Sequence, residues 1–436
     1  MLARTAYINN AGIFVKNPDM DIKQVYATML HSRVAIVSGA CTALGQASTI
    51  AIRYSAIRRQ FRSDPLNKKE LKILDYPTQQ HRILIPLASA FAAHFTGIWL
   101  MKLTNESMEG KKGTLAEVHN ASSGLKCLIT MIASSGIEEC RKACGGIGYS
   151  KLSGLCDLMT IYLQFNTVEG ENYVLSQQLS KYLLKSLSNR HDALLPPSLS
   201  YIRNAGSGFP QHNICSAENP QDFLNPNIQL EMYAFYARSV VFTLSEIMET
   251  ISKKSGMSSS DLNSSLFQQY QMQCHDAAMA HSSYLIAGAF IEGIQDLESS
   301  SPYLTPTILS TLQDLRSLFL LSFLISSPVP LSFVVSPATV LLSQGYLQSY
   351  HLKWIQETIS ELLHRIRNVA VPLVDGFGFS DHYLASAIGG YEGNVYQDLW
   401  KMSGQGEGRW NPESKVDIRA WNIIQDIIRS DSMSKI

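Results

Sequence analysis

Two groups of residues with chemical potential lie close together in the chain. The first is a glycine cluster, Cys144-Gly145-Gly146-Ile147-Gly148-Tyr149, and the second is a carboxylate, Glu169, about twenty residues later in Thr167-Val168-Glu169-Gly170-Glu171-Asn172. Glycines at these positions let the backbone take φ > 0 and approach a ligand closely. Glu169 precedes a helical pattern, and a carboxylate there is expected near the exposed N–H groups of the first turn. A bare glycine cluster also serves as a tight turn between helices, and a Glu-Gly pair is commonly surface. The order and spacing of the two groups, rather than either alone, mark the stretch from Gly136 to Lys185 as the centre of the chain.

The elements that must position these groups read as helical. From about Val25 to Gln60, small and apolar residues recur at three- and four-residue spacing, and the Ala, Ser and Gly content predicts a helix packed closely on its neighbours. Arg62 to Lys72 is a charged loop, a long apolar helix then runs to about Met108, and Leu115 to Ser135 is a third helical pattern. Four long helices in this span predict an antiparallel bundle. Residues 1–25 read as an extended lead-in, 26–190 as a helical bundle, 191–225 as a linker draped over a surface, and 226–436 as a second helical domain. Ser-rich breaks at 255–265 and 297–307 offer Asp, Ser and Thr as helix N-caps. Adjacent Asp381 and His382 point apart on a helix and predict capping rather than catalysis.

Composition removes several classes. With 36 basic and 36 acidic residues among 436, there is no electrostatic case for nucleic acid or an acidic membrane surface. The seven cysteines are scattered. Cys140 and Cys144 lie one helical turn apart, but no second pair completes a metal site, so no metal is expected and the thiols read as free in a reducing compartment. The first residues lack a basic region followed by a sustained apolar core. The apolar stretch from Leu318 to Leu342 is broken by Pro328, Pro330 and Pro337, which predicts buried helices and no membrane span.

The stretch from Cys140 to Asn172 closely resembles the signature region of acyl-CoA oxidases, in the acyl-CoA dehydrogenase superfamily. That family carries C-R-x-x-C-G-G-x-G-Y followed by T-[YF]-E-G-[DE]-N, matched here by Cys140-Arg141-Lys142-Ala143-Cys144-Gly145-Gly146-Ile147-Gly148-Tyr149 and by Thr167 to Asn172. Val168 replaces the usual aromatic, and Ile147 the usual polar residue or His. Arg58-Arg59-Gln60-Phe61 resembles the family's R-x-x-F, Ile73 to Gln80 its I-x-D-[YF]-x-T-Q-Q, and Gly389 to Tyr396 its closing G-x-Y-[DE]-G-N-V-Y.

The resemblance implies Glu169 as the base that removes the α-proton of a fatty acyl-CoA, the β-hydrogen leaving as hydride to a flavin. It implies FAD as cofactor, held by Arg58, Phe61, Gln79, Gln80, Gly145, Gly146, Glu171 and Asn172, with its ADP part at the interface of a homodimer. Arg33 is implied near the base, on the substrate side. A guanidinium can fork onto pyrophosphate oxygens, and an aromatic face can pack on adenine. In the oxidases O2 reoxidises the flavin and yields hydrogen peroxide. The end Ser434-Lys435-Ile436 resembles the S-K-L peroxisomal address.

The resemblance also implies an all-α chain of two helical-bundle domains. The N-terminal helical and β-barrel-like domains with which full-length members begin are absent, since no run of short alternating strands is present. The expectation is a C-terminal, all-helical part: a fragment, a chain whose missing parts are supplied elsewhere, or a relative that no longer catalyses. Three functions follow: an acyl-CoA oxidase or its base-bearing part, an acyl-CoA dehydrogenase with a protein electron acceptor, and a non-catalytic helical interaction protein. Peroxide release with palmitoyl-CoA separates the first two, and bound flavin separates both from the third.

Overall fold

The computed structural model describes residues 6–16, 22–62, 70–191, 195–203, 214–255, 269–326 and 336–402, together with residue 422. The first described residues form a hairpin rather than a plain extended lead-in. Strands β1 (Ala6–Ile8) and β2 (Phe14–Lys16) pair antiparallel, with Tyr7 opposite Val15. The Asn9 side-chain oxygen accepts from the Ala11 and Ile13 amides, both at 3.0 Å, and closes the turn.

Three long helices carry the first half: α1 (Ile22–Ile57), α2 (Pro77–Met108) and α3 (Thr114–Ala143). Helix α1 begins a few residues earlier than the periodicity predicts, and α3 runs on into the Cys140–Ala143 part of the signature. Val37, Ala40, Leu44, Ala47, Ala51 and Tyr54 recur at helical spacing on α1 and are all buried. The expected close approach is present. A Cβ on Gly97 of α2 would lie 3.0 Å from the Ser38 Cα of α1, and one on Gly136 of α3 would lie 2.7 Å from a Leu44 methyl. Small residues at these crossings bring the helix backbones together and extend dispersion contacts along their length.

Two shorter helices, α4 (Leu155–Tyr162) and α5 (Asn172–Ser188), follow the glycine cluster. The second half contributes α6 (Pro226–Ser255), α7 (Gln271–Ser300), α8 (Pro306–Ile325) and α9 (Ser349–Arg367). Helix α8 is capped by Thr305, whose side chain accepts from the Ile308 amide, as the sequence predicts for these breaks. Residues 255–265 fall largely outside the described residues. Helix α7 packs on α2, α3, α5 and α6, and one continuous apolar core runs from Val34 to Val395 through both halves.

The stretch expected as a surface linker contributes to that core. Leu199, Tyr201, Ile202 and Phe223 are buried, and Tyr201 Oη lies 2.9 Å from His281 Nδ1. By length and composition alone, Met29–Ile57, Pro77–Met108 and Pro306–Ile325 are apolar enough to cross a membrane, and 61–72% of each apolar window is buried against other parts of the chain. The closing segment is fastened to α1 by Arg53. Its guanidinium donates to Asp375 Oδ1 at 2.8 Å and to the Gly389 carbonyl at 2.8 Å, and it lies over the Tyr391 ring. Ser380, not Asp381, caps the helical turn at 381–384. Asp381 accepts from the Tyr391 amide instead, and faces Arg53 at 3.6 Å.

Burial sets a pH dependence. It pushes His281 down to about 3 and His275 down to about 4, so both stay neutral in the native state. The unfolded chain takes up these protons as pH falls below about 6.5, and the native chain does not, so their contribution is full above that pH and is lost as it falls. Burial pushes Asp276 up to about 7, which works in the opposite direction as pH rises from the ordinary carboxylate range. Replacing His281→Gln isolates one of these contributions. The stability gap between wild type and variant in urea denaturation is expected to narrow between pH 7 and pH 4.5, and a constant gap would contradict the assignment.

Candidate active site on the helical bundle

The residues singled out in the sequence form two groups, one against the first half of α1 and one at its C-terminal end. The first surrounds Glu169. This residue has φ +57 and Gly170 has φ +115, so the chain passes through two consecutive left-handed positions. The first of these is strained for a residue with a Cβ, and such conformations persist only where the surroundings over-determine them. Here the surroundings are two cations. Arg33 of α1, 5% exposed, donates from Nε to the Glu169 carbonyl at 3.0 Å and from Nη1 to Ser123 Oγ at 3.1 Å. Lys126 of α3, fully buried, donates to the Gly170 carbonyl at 2.7 Å and to Asn172 Oδ1 at 2.9 Å.

The Glu169 side chain is half-buried and makes no hydrogen bond or ion pair among the described residues. The carboxylate that meets the N–H groups of the next helix is Glu171, a correction to the sequence expectation for Glu169. Glu171 Oε2 accepts from the Tyr173 amide at 2.9 Å and from Val174 at 3.2 Å, because Glu171 has the extended backbone of an N-cap while Glu169 is turned away in the left-handed region. Asn172 is 3% exposed, and its Nδ2 donates to Thr130 Oγ1 at 3.1 Å. A groove of about 390 Å³ opens beside this segment, lined by Met131, Ser134, Asn166, Thr167, Glu171 and Tyr173 among others. Val168 is exposed beside it.

The second group gathers at the C-terminal end of α1. Gln79, on the first turn of α2, donates from Nε2 to Ser55 Oγ at 3.0 Å and to the Ala143 carbonyl at 2.9 Å. It thereby joins the ends of α1, α2 and α3. Gln80 donates to the Leu74 carbonyl at 3.2 Å, and both glutamines are buried. The glycine cluster therefore follows from the same junction of helix ends as Arg58, although the two are far apart in sequence. The buried face of Tyr54 feels both Arg58 and Cys144. Arg58 donates to Tyr396 Oη at 3.0 Å and to Gln60 Oε1 at 2.9 Å, and the Tyr396 contact raises its pKa. Phe61 is 71% exposed at φ +58.

The glycines divide by role. A Cβ at Gly145 or Gly146 would meet nothing within 4 Å, so both present bare backbone to open space, and Gly145 has φ +68. A Cβ at Gly148 would lie 2.0 Å from the Arg141 carbonyl oxygen, so this glycine is required by packing within the turn. Ile147 packs partly against the core. All seven cysteines are free, and burial pushes the Cys144 thiol up to about 12 and Cys140 higher still. No cluster of three metal-ligating side chains occurs among the described residues. Sequence reading missed Lys126, Ser123 and Arg53, which lie in runs that read as ordinary helix.

An open glycine face, a guanidinium and an exposed ring at one place fit a phosphate-bearing cofactor with a planar base. Comparisons with known proteins identify the family. Residues 26–184 match the family model for the acyl-CoA oxidase C-alpha1 domain, and residues 225–415 match that for acyl-CoA oxidase. A putative peroxisomal acyl-coenzyme A oxidase 1.2 from Arabidopsis thaliana is 34% identical over 92% of this chain and 57% of its own length. The peroxisomal acyl-coenzyme A oxidase 1 of Homo sapiens is 32% identical over 92% of this chain and 58% of its own. Among solved structures, an acyl-CoA oxidase from Lycopersicon esculentum (tomato) superposes with a TM-score of 0.80 at 30% identity, covering 95% of this chain and 59% of that one. Acyl-CoA oxidase-1 of Caenorhabditis elegans, complexed with FAD and ATP, gives 0.77 at 26% identity, covering 98% and 60%. This chain thus spans a little under three fifths of the curated relatives it matches, and it belongs to the acyl-CoA oxidase family, of which it carries the C-terminal, all-helical part.

Proposed function

We propose that this chain supplies the base-bearing and nucleotide-binding helices of an FAD-dependent acyl-CoA oxidase. The reaction is the α,β-dehydrogenation of a fatty acyl-CoA by O2, giving trans-2-enoyl-CoA and H2O2. The observation that carries this reading is the state of Glu169. Its backbone is fixed by two helices, and its carboxylate has no hydrogen-bond or ion-pair partner among the described residues. A carboxylate held in place but left unpaired, beside a groove, is arranged to take a proton from something outside the chain.

The α-proton of a thioester is weakly acidic, so its removal needs a base already in position. Arg33 and Lys126 spend their hydrogen bonds on backbone carbonyls and on the Ser123 and Asn172 side chains rather than on the carboxylate, which leaves the base free to act. In this reading Arg33 shapes the base segment from beneath, and Glu171 and Asn172 frame the groove beside it. At the other end of α1, Arg58, Phe61, Gly145 and Gly146 would hold the nucleotide part of FAD, above a frame tied together by Gln79 and Gln80. Bound FAD supplies the acceptor for the β-hydrogen and, in an oxidase, the site at which O2 is reduced.

The two groups lie far apart along α1. At 1.5 Å per residue, the backbone rises about 38 Å along α1 from Arg33 to Arg58, the residue that follows it. In this reading the base of one copy and the nucleotide-holding groups of another would serve the same FAD, in a homodimer. The exposed rings of Phe61, Tyr149, Tyr396 and Trp400 near that end suit such a contact. The relatives' designation as peroxisomal supports the same compartment for this chain. The Ser434-Lys435-Ile436 end lies outside the described residues.

Two outcomes are expected. With FAD and palmitoyl-CoA, Glu169→Gln lowers peroxide release by about 100- to 10,000-fold while circular dichroism and thermal midpoint stay unchanged. A variant with full turnover would remove Glu169 from the base role. Gly148→Ala lowers the thermal midpoint, because its Cβ would strike the Arg141 carbonyl. Gly146→Ala leaves that midpoint unchanged and weakens FAD uptake in an absorbance titration. Equal effects on stability from the two variants would contradict the division of roles between these glycines.

A further inference from the structure

The base segment is met from below by a lysine with no carboxylate within ion-pair distance among the described residues. Lys126 is fully buried in α3, within an otherwise apolar helical run. A buried ammonium without a counter-ion is costly, and an apolar residue of similar volume would fill the same space more cheaply. What the lysine does instead is specific. Its Nζ donates to the Gly170 carbonyl at 2.7 Å and to Asn172 Oδ1 at 2.9 Å. Asn172 passes the restraint on, donating to Thr130 Oγ1 at 3.1 Å and to Asn166 Oδ1 at 3.4 Å, while Cys127 Sγ donates to the Asn172 carbonyl at 3.1 Å. Both ends of the loop that carries Glu169 are thereby tied to one face of α3.

We propose that Lys126 is a positioning residue for Glu169: its buried ammonium locks the Gly170 carbonyl and the Asn172 side chain, and so holds the left-handed Glu169–Gly170 turn with its carboxylate in one orientation. This deepens the reading of Glu169 as the base and rests on it. The lock works with Arg33, which takes the preceding carbonyl, so that successive carbonyls of the turn are bound by cations from two helices. Charge-assisted bonds of this kind are stronger than neutral ones and suit a strained turn. The charged and titratable groups that Lys126 feels are Glu169 and Glu171 of the base segment, Arg33 of α1 and its neighbour Cys127. Burial is the largest influence and lowers its pKa from the ordinary lysine value.

The test reads the order of the turn and requires no turnover. Hydrogen exchange is followed at the Tyr173, Val174 and Leu175 amides, all bonded to Glu171. Lys126→Met is expected to speed their exchange roughly 10- to 100-fold while amides in the middle of α2 are unaffected. In wild type, exchange at these amides is expected to rise more steeply than ordinary base catalysis on the alkaline side, where Lys126 loses its proton. The variant lacks that break. A lysine acting only as filler would show neither the local effect nor the break. If wild type shows no alkaline break, or Lys126→Met leaves these amides unchanged, the proposal is overturned. The wild-type profile decides the matter even where the variant fails to fold. Peroxide release by Glu169→Gln tests the base role separately, so the positioning role and the base role can fail independently.

Discussion

The rest of the site depends on two buried cations that bind consecutive backbone carbonyls. Without Arg33 and Lys126, nothing in the local sequence would keep Glu169 at a positive φ, since a glutamate has no intrinsic preference for that region. The cations come from α1 and α3, whose relative placement is set by small-residue crossings at Ser38 against Gly97 and at Leu44 and Pro86 against Gly136. Packing in the bundle interior is therefore converted into the orientation of one surface carboxylate. Such a scaffold would suit the proposed proton-abstracting base, because the hydrogen bonds from Arg33 and Lys126 start from rigid helices.

The length of α1 imposes a second constraint. Arg33, in the first half of this helix, holds the Glu169 segment, and the C-terminal end leads to Arg58 and Phe61 and is joined through Gln79 to the end of α3 before the glycine cluster. A helix of this length keeps the two ends apart whatever the side chains do. Under the proposed function, a cofactor served by both groups would bridge two copies. The exposed aromatic rings near Arg58 would be covered in such an arrangement.

Much of this was legible in the sequence. The helical periodicity of α1 to α3 located the bundle, and the C-G-G-x-G-Y and E-G-E-N segments mark the two groups of the candidate site. What escaped had one physical cause, which is that tertiary contacts decide the fate of a polar residue on a helix. Lys126 in Gly124-Leu125-Lys126-Cys127-Leu128 looks like a solvated lysine, and only the returning loop shows that it is buried. Arg53 likewise reads as an outward-facing residue until the closing segment folds over it. Glu169 and Glu171 are both glutamates two positions apart, and backbone dihedrals alone decide which one caps the helix. The stretch at 191–225 looked like a linker because Pro, Gly and Asn hide the spacing of Leu199, Tyr201 and Phe223, which contribute to the core.

The central claim is that these helices hold a flavin nucleotide at one end and present a base at the other. The most direct test is a visible absorption spectrum of the purified chain, with FAD added if it emerges colourless. The account predicts flavin bands that remain with the protein at one FAD per chain after free cofactor is removed. A protein that stays colourless and cannot be reconstituted would contradict it.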